Sequence, residues 1–343
     1  MGRVTIAGLA EQLGISKASV SYALNGQPGV SEQTRQKVLD LAAELGWYPS
    51  SSARALSKSR AGVVGIVLSR EPELIGAEPY YMSLIAGIES VLITTEISLL
   101  LRVAGAEEGK DLAVYRRWAG ERRVDGVILF DHLIQDPRPA LLDRLGLPFV
   151  LHGTSAPDAR FASTTADQAA DAATIVGHLQ ALGHRRIAHV TGPLRLLHEQ
   201  ARQSAVRLHA QRAGMEVLDV ESDYTVDGGS RAAEELLGGP DRPTAIIFGN
   251  DLMAMGGIMA GRRNRTAVPG EVSLVSWDDS MLCWIASPSV TALQRDPVEQ
   301  GRQSARLLLE VIDGHQRRNI QAAPSALVPR ESTAPPAAPG PRP

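Results

Sequence analysis

A chain of 343 residues with 44% hydrophobic and 21% charged side chains is too long for one small core and too apolar to stay unfolded, so its length favours two or three compact units. Its single cysteine, Cys283, excludes an internal disulfide and any CxxC metal knuckle. Net charge is −3, yet residues 1–60 hold seven Lys or Arg against four acids, a basic head on an acidic body that suggests polyanion contact at the N-terminus. The start, MGRVTIAGLAEQLG, has polar and acidic residues where a signal peptide needs its apolar stretch, and no apolar run is long enough for a membrane span. A cytoplasmic protein without membrane contact is expected.

Residues 5–46 predict three short helices, Ile6 to Leu13, Lys17 to Leu24 and Glu32 to Leu45. Thr5, Ser16 and Ser31 stand where a hydroxyl can accept from the free amides of a first turn. Apolar residues recur at helical spacing in all three, enough for one miniature core. If the first two helices form a helix-turn-helix, the outward face of the second carries Lys17, Ala18 and Tyr22 to base edges. Lys17 can donate to guanine, Ala18 can touch a thymine methyl, and Tyr22 can reach a base or phosphate. Thr5, Ser16, Ser21 and Asn25 suit phosphate oxygens. The same hydroxyls are also ordinary caps, and a three-helix unit can dock proteins instead; the pattern alone leaves both open.

From Ala61 the chain alternates strand and helix. Strand candidates are Val63 to Leu68, Ser98 to Val103, Asp125 to Phe130, Phe149 to His152, Arg186 to Val190, Glu216 to Val220, Ala245 to Phe248 and Val272 to Ser276. Amphipathic stretches lie between them, so the body is α/β with parallel sheets. Beyond Ser332 the Pro- and Ala-rich tail is expected to be disordered. Ligands of parallel α/β lobes sit beyond the carboxyl ends of strands, where His152, Asn250 and Asp278 fall. Arg202, Tyr224, Tyr80 and Tyr81 open or follow nearby segments. An Arg, an amide, carboxylates and flat rings suit a carbohydrate. Competing readings are a helix cap for Asn250, a turn for Asp278, a strand end for His152, and packing for Tyr80, Tyr81, Trp277 and Trp284. His178, His184 and His189 are too scattered for a metal, and no metal or cofactor is expected. Enzyme fingerprints fail: GAEEGKD is too short for a phosphate loop, HEQAR lacks the second histidine of a zinc protease, and no GxSxG occurs.

VTIAGLAEQLGISKASVSYALNG followed by VSEQTRQKVLDLAAELGWYPSSSARALS closely resembles the DNA-binding domain of the lactose and galactose repressor family of bacterial transcription factors. VDGVIL, ALGHRRIAHVTGP, RPTAIIFGNDLMAMG, VPGEVSLVSWDD and DPVEQGRQSARLLLEVIDG stand in the family's order along nearly the whole chain. The resemblance implies a helix-turn-helix domain at 1–47, a hinge at 48–60 and a two-lobed body at 61–332, like the sugar-binding periplasmic proteins. The first lobe would take about 61–161 and 294–321, the second about 162–293 and 322–332, and 333–343 would be the tail.

It further implies a homodimeric repressor on pseudo-palindromic double-stranded operator DNA, its affinity set by a small effector, a sugar, captured between the lobes. Pro49 to Lys58 resembles the hinge that pairs in the minor groove. Leu56 stands at the position that wedges between bases, Ala53 and Arg54 match its neighbours, and Ser50 replaces the usual Asn. Arg202, Asn250 and Asp278 match effector contacts; Tyr80, Tyr81, His152, Tyr224 and Gln294 or Arg295 fall at pocket positions that vary with the ligand. Ala205 and Gln168 depart from the family, and SREPELIGAEPYY is longer and more acidic than the usual first-strand loop. The alternative, an exported sugar-binding protein without a DNA role, would need a signal peptide and no helix-turn-helix.

Overall fold

The computed structural model describes residues 4–48, 60–105, 107, 109–154, 158 and 160–337. The hinge expectations at Pro49 to Lys58, including Ser50, Ala53, Arg54 and Leu56, lie outside the described residues. The chain divides into two compact units, Met1–Gly62 with Arg122–Val124, and Val63–Glu121 with Asp125–Pro343.

The first unit holds α1 (Ile6–Leu13), α2 (Lys17–Leu24) and α3 (Glu32–Glu44). Each N-cap expected from the sequence forms. Thr5 accepts from the Gly8 amide at 3.2 Å, Ser16 from Ser19 at 3.0 Å and Ser31 from Thr34 at 3.2 Å, satisfying amides that a helix start leaves open. Gly14, at φ 63°, ends α1 in the left-handed region, where a Cβ is unwelcome. Leu9, Ala10, Val20, Ala23, Val38 and Ala42 are buried together. Arg35 ties α3 to the end of α2 by donating to the carbonyls of Ala23 and Gln27.

In the second unit the chain runs β1 (Val63–Leu68), α4 (Pro72–Ala77), α5 (Pro79–Leu92), β2 (Ser98–Val103), α6 (Lys110–Gly120), β3 (Gly126–Leu129), α7 (Arg138–Leu145), β4 (Phe149–Thr154) and β5 (Ala162–Thr165). It continues α8 (Gln168–Ala181), β6 (Arg186–Thr191), α9 (Leu197–Arg212), β7 (Glu216–Glu221), α10 (Val226–Gly238), β8 (Ala245–Phe248), α11 (Asp251–Arg263), β9 (Ser273–Ser276) and α12 (Met281–Ile285). It closes with β10 (Thr291–Gln294), α13 (Pro297–Ile312), β11 (Asn319–Gln321) and β12 (Ala326–Val328).

Two sheets result, ordered β11-β5-β4-β3-β1-β2 and β12-β10-β9-β8-β6-β7. All ladders are parallel except β10 with β12. Central β1, β3 and β8 are apolar and almost wholly buried, as strands covered on both faces must be. Edge strands β2 and β7 stay half exposed. Glycines let one helix pair in each lobe approach backbone to backbone. A Cβ at Gly87 would lie 2.0 Å from the Val298 carbonyl oxygen of α13, and one at Gly256 of α11 would lie 2.1 Å from that of Val226 in α10.

Two sequence boundaries need correcting. Ala162–Thr165 pairs with β4 and β11, so the first lobe runs through Thr165 rather than ending near 161; lobe membership follows pairing, which the polar ASTT segment does not announce. Of the tail expected to be disordered from 333, Thr333 and Ala334 are hydrogen-bonded to the second lobe. Thr333 lies 3.1 Å from His178 and 2.9 Å from Thr291, and Ala334 exchanges hydrogen bonds with Ser273. In both sheets the winding reverses beside the first strand of the lobe, at β1/β3 and β6/β8. The carboxyl ends at such a reversal leave a crevice for ligands.

Candidate effector cleft and nucleic-acid interface

In the head, Lys17, Ala18, Ser21 and Tyr22 share one side of α2 at 3.6-residue periodicity, while Val20 and Ala23 turn into the core. Lys17 and Ala18 are exposed and Tyr22 is 42% exposed. A Cβ at Gly29 would sit 3.0 Å from the Tyr22 ring, so that ring rests against the loop after α2. Thr5 and Ser16 are exposed caps. Asn25 turns back, donating to the Ser21 carbonyl at 2.9 Å.

In the body, Tyr80, Tyr81, His152, Arg202, Tyr224, Asp278 and Arg295 line one cavity between the lobes. Asn250 does not. It is buried, its oxygen caps α11 at the Met253 amide (2.9 Å), and its amide donates to the Tyr224 carbonyl at 3.1 Å. The capping role forms, and Asn250 also supports the loop bearing Tyr224. Arg70, Glu78, Asp131, Gln168, His198 and Gln300 complete the walls.

Charge is balanced inside. Arg70 donates to both oxygens of Asp131, at 2.8 and 3.0 Å, and to Glu78 at 3.2 Å. Its guanidinium lies 5.0 Å from the Tyr81 ring and 4.7 Å from the Tyr224 ring. Arg202 donates to Glu199 (2.7 Å), Gln168 (2.9 Å) and the Gly249 carbonyl (3.2 Å), over the buried Trp277 ring. Arg295 pairs with Asp278 above the Tyr80 ring, and its buried Nε has no partner among the described residues. A buried donor of that kind is unfavourable unless a ligand satisfies it.

Burial pushes the Asp131 carboxyl up, but the charge and hydrogen bonds of Arg70 outweigh that and hold it well below the usual carboxylate range. Burial pushes His152 down to about 3 and His198 down to about 4, so both imidazoles are neutral at pH 7. For Glu78, burial dominates, Arg70 opposes it only in part, and Asp131 adds repulsion, leaving the carboxyl at about 7. A carboxyl raised from 4.5 in this way stabilises the fold fully below about pH 4.5, and that contribution is gone above about pH 7. The thermal stability of Glu78→Gln relative to wild type is therefore expected to rise between pH 4.5 and 7, by about 3 kcal/mol in all, and then level off. A flat difference across that range in parallel melts contradicts the burial of an ionisable Glu78.

At the cleft edge the lobes are latched. Leu133 and Leu196 form an antiparallel bridge, with Ile134 N donating to Arg195 O (3.1 Å) and Leu197 N to His132 O (2.8 Å). Asp136 braces the first-lobe side of the latch, accepting from Leu133 N and from the Arg138 guanidinium.

Comparison with known proteins gives the architecture a lineage. Residues 5–50 match the model for bacterial regulatory proteins of the lacI family, and residues 176–333 that for a periplasmic binding protein-like domain. The HTH-type transcriptional regulator CelR of Thermobifida fusca is 30% identical over 91% of this chain and 93% of its own length. The regulator MalR of Streptomyces coelicolor is 33% identical over 90% of each. The chain belongs to the LacI family of transcriptional regulators.

Among solved LacI-family structures, the lac repressor dimer bound to operator and the anti-inducer ONPF superposes with a TM-score of 0.84 at 26% identity, covering 97% of this chain and all of that one. A CelR–cellobiose complex superposes at 0.74 with 30% identity, covering 96% and 100%. The LacI-family relatives named here are transcriptional regulators, not enzymes. Among the described residues no helix is long and apolar enough to cross a membrane.

Sequence reasoning missed Arg70, Glu78, Asp131 and His198. Arg70 and Asp131 stand just past β1 and β3, where the strand-end rule applied to His152 and Asp278 would have found them. Glu78 lay in the loop noted only as long and acidic. His198 was weighed only as a fragment of a protease motif. Trp277 is buried packing, as read, but Trp284 is exposed.

Proposed function

We propose that this LacI-family chain is a cytoplasmic homodimeric repressor. Two heads bind inverted half-sites of an operator, reading bases with Lys17, Ala18 and Tyr22 and phosphates with Thr5, Ser16, Ser21 and Asn25. Ala53, Arg54 and Leu56 occupy the minor groove between them. A neutral sugar held by Tyr80, Tyr81, His152, Arg202, Tyr224, Asp278 and Arg295 favours one arrangement of the lobes, and operator affinity follows that preference.

What carries the effector class is the charge balance of the cleft. Arg70, Arg202 and Arg295 each face a carboxylate, Asp131, Glu199 and Asp278. An anion would have to displace one of those carboxylates, whereas hydroxyls can use the remaining N–H groups and lone pairs. A thermal-shift screen of neutral sugars, sugar phosphates and uronic acids tests this. A neutral sugar at about 100 times its Kd stabilises by about 2.7 kcal/mol. Stabilisation by the anionic members alone contradicts the reading.

For the dimer, Met281, Trp284 and Ile285 on α12 are each about 60% exposed, an apolar patch that a soluble chain leaves open only where something covers it. Trp284→Glu combined with Ile285→Glu is expected to convert dimer to monomer in sedimentation and to weaken operator binding, because a lone head contacts one half-site. A dimer of unchanged strength places the interface elsewhere.

A further inference from the structure

Residues 61–343 are acidic as a whole, with 28 Lys or Arg against 34 Asp or Glu, yet residues 116–123, RRWAGERR, hold four arginines and one acid. This run closes α6 and leads toward β3. β3 pairs in parallel with β1, Gly126 opposite Val64, and the Asp125 amide donates to the Val63 carbonyl at 2.7 Å. Residues 60–62 and 122–124 therefore enter the sheet side by side, at about the 5 Å spacing of neighbouring strands. They bring Arg60, Arg122 and Arg123, all exposed, to one end of it. Arg122–Val124 also belongs to the compact unit that carries α1, α2 and α3.

Two further observations separate this cluster from an ordinary solvated face. The flanking carboxylates are engaged: Glu121 accepts from Arg117 at 3.0 Å, and Asp125 from the Val63 amide at 3.3 Å. Arg122 is held at φ 48°, a left-handed position that glycine or asparagine fills more easily. Like charges gathered at a strained turn of an acidic body are stabilised by a polyanion opposite them. We propose that Arg60, Arg122 and Arg123 form an accessory phosphate-binding edge, and that its occupant is the sugar–phosphate backbone of the duplex held by the head. This rests on the DNA reading above and adds residues from beyond the three helices to its contacts. Guanidiniums meet phosphate oxygens with paired N–H donors and read no sequence there. The edge thus strengthens binding to any duplex and leaves base preference to α2.

The test is fluorescence-anisotropy titration of the full chain with a labelled random-sequence duplex of about 30 base pairs, at salt concentrations from about 50 to 200 mM. Each phosphate contact contributes about 0.9 to the slope of log affinity against log salt. Arg122→Ala/Arg123→Ala is expected to lower that slope by about 2 per chain and to weaken binding at the lowest salt about tenfold. Lysine at both positions is expected to restore the slope, since a point charge serves a phosphate. Arg185→Ala/Arg212→Ala removes two exposed arginines of the second lobe and is expected to leave the slope unchanged. Arg122→Ala alone makes the same test should the double variant fail to fold, with a loss of about 1 in slope. An unchanged slope without Arg122, an equal loss in the second-lobe control, or a loss that lysine does not restore overturns the edge and leaves the head reading standing. A wild-type chain that binds no duplex overturns both.

Discussion

Arg202→Ala is expected to abolish the effector response and to destabilise the body by about 3–5 kcal/mol, the range for removing one partner of a buried ion pair. The reason is what remains. Glu199 is wholly buried and would keep only the Gly192 amide, at 2.7 Å, and a long contact with the neutral His198. Gln168 and the Gly249 carbonyl would also lose their donor. Because instability alone could silence the response, Arg202→Lys separates the two effects. A lysine keeps a charge opposite Glu199 but cannot reproduce the planar fork that reaches three acceptors at once. Most of the stability is expected to return with Arg202→Lys while the ligand-induced thermal shift stays absent. A full response in both variants would move the effector site away from Arg202.

The double variant Lys17→Ala/Tyr22→Phe is expected to weaken specific operator binding by at least about 30-fold, since each direct base contact contributes about 1–3 kcal/mol. Phenylalanine keeps the ring that rests against Gly29, and Lys17 is exposed, so the melting temperature should not move. Binding to random duplex, which depends on phosphate contacts, should fall much less. Equal losses on operator and random DNA would show that these side chains touch only the backbone.

The strands that bury both faces could be read from the sequence because burial leaves a local record. VVGIVL and AIIF coincide with β1 and β8 to the residue. The short crossover strands left no such record: ASTT, NIQ and ALV are strands only because the chain passes between lobes there and finds an edge to pair with. The caps Thr5, Ser16 and Ser31 were legible for the same local reason.

The cleft was legible in part. His152, Asp278 and Arg202 follow from strand ends and residue type, whereas Arg295 came only through family resemblance. The pairing of Arg70 with Asp131 joins residues 61 apart in sequence, and neither side chain alone indicates that partner. Asn250 had two readings open, cap and ligand contact; the geometry of α11 shows the cap.

Effector-controlled operator binding is tested most directly by fluorescence titration of the purified full chain against a genomic operator fragment and random duplex, at two salt concentrations, with and without the sugar selected by thermal shift. The account predicts tighter binding to the fragment, a steep fall of affinity with salt as counterions are released, and a change in operator affinity on adding sugar while random-duplex affinity stays put. No preference for any genomic fragment over random duplex, with or without sugar, would contradict it.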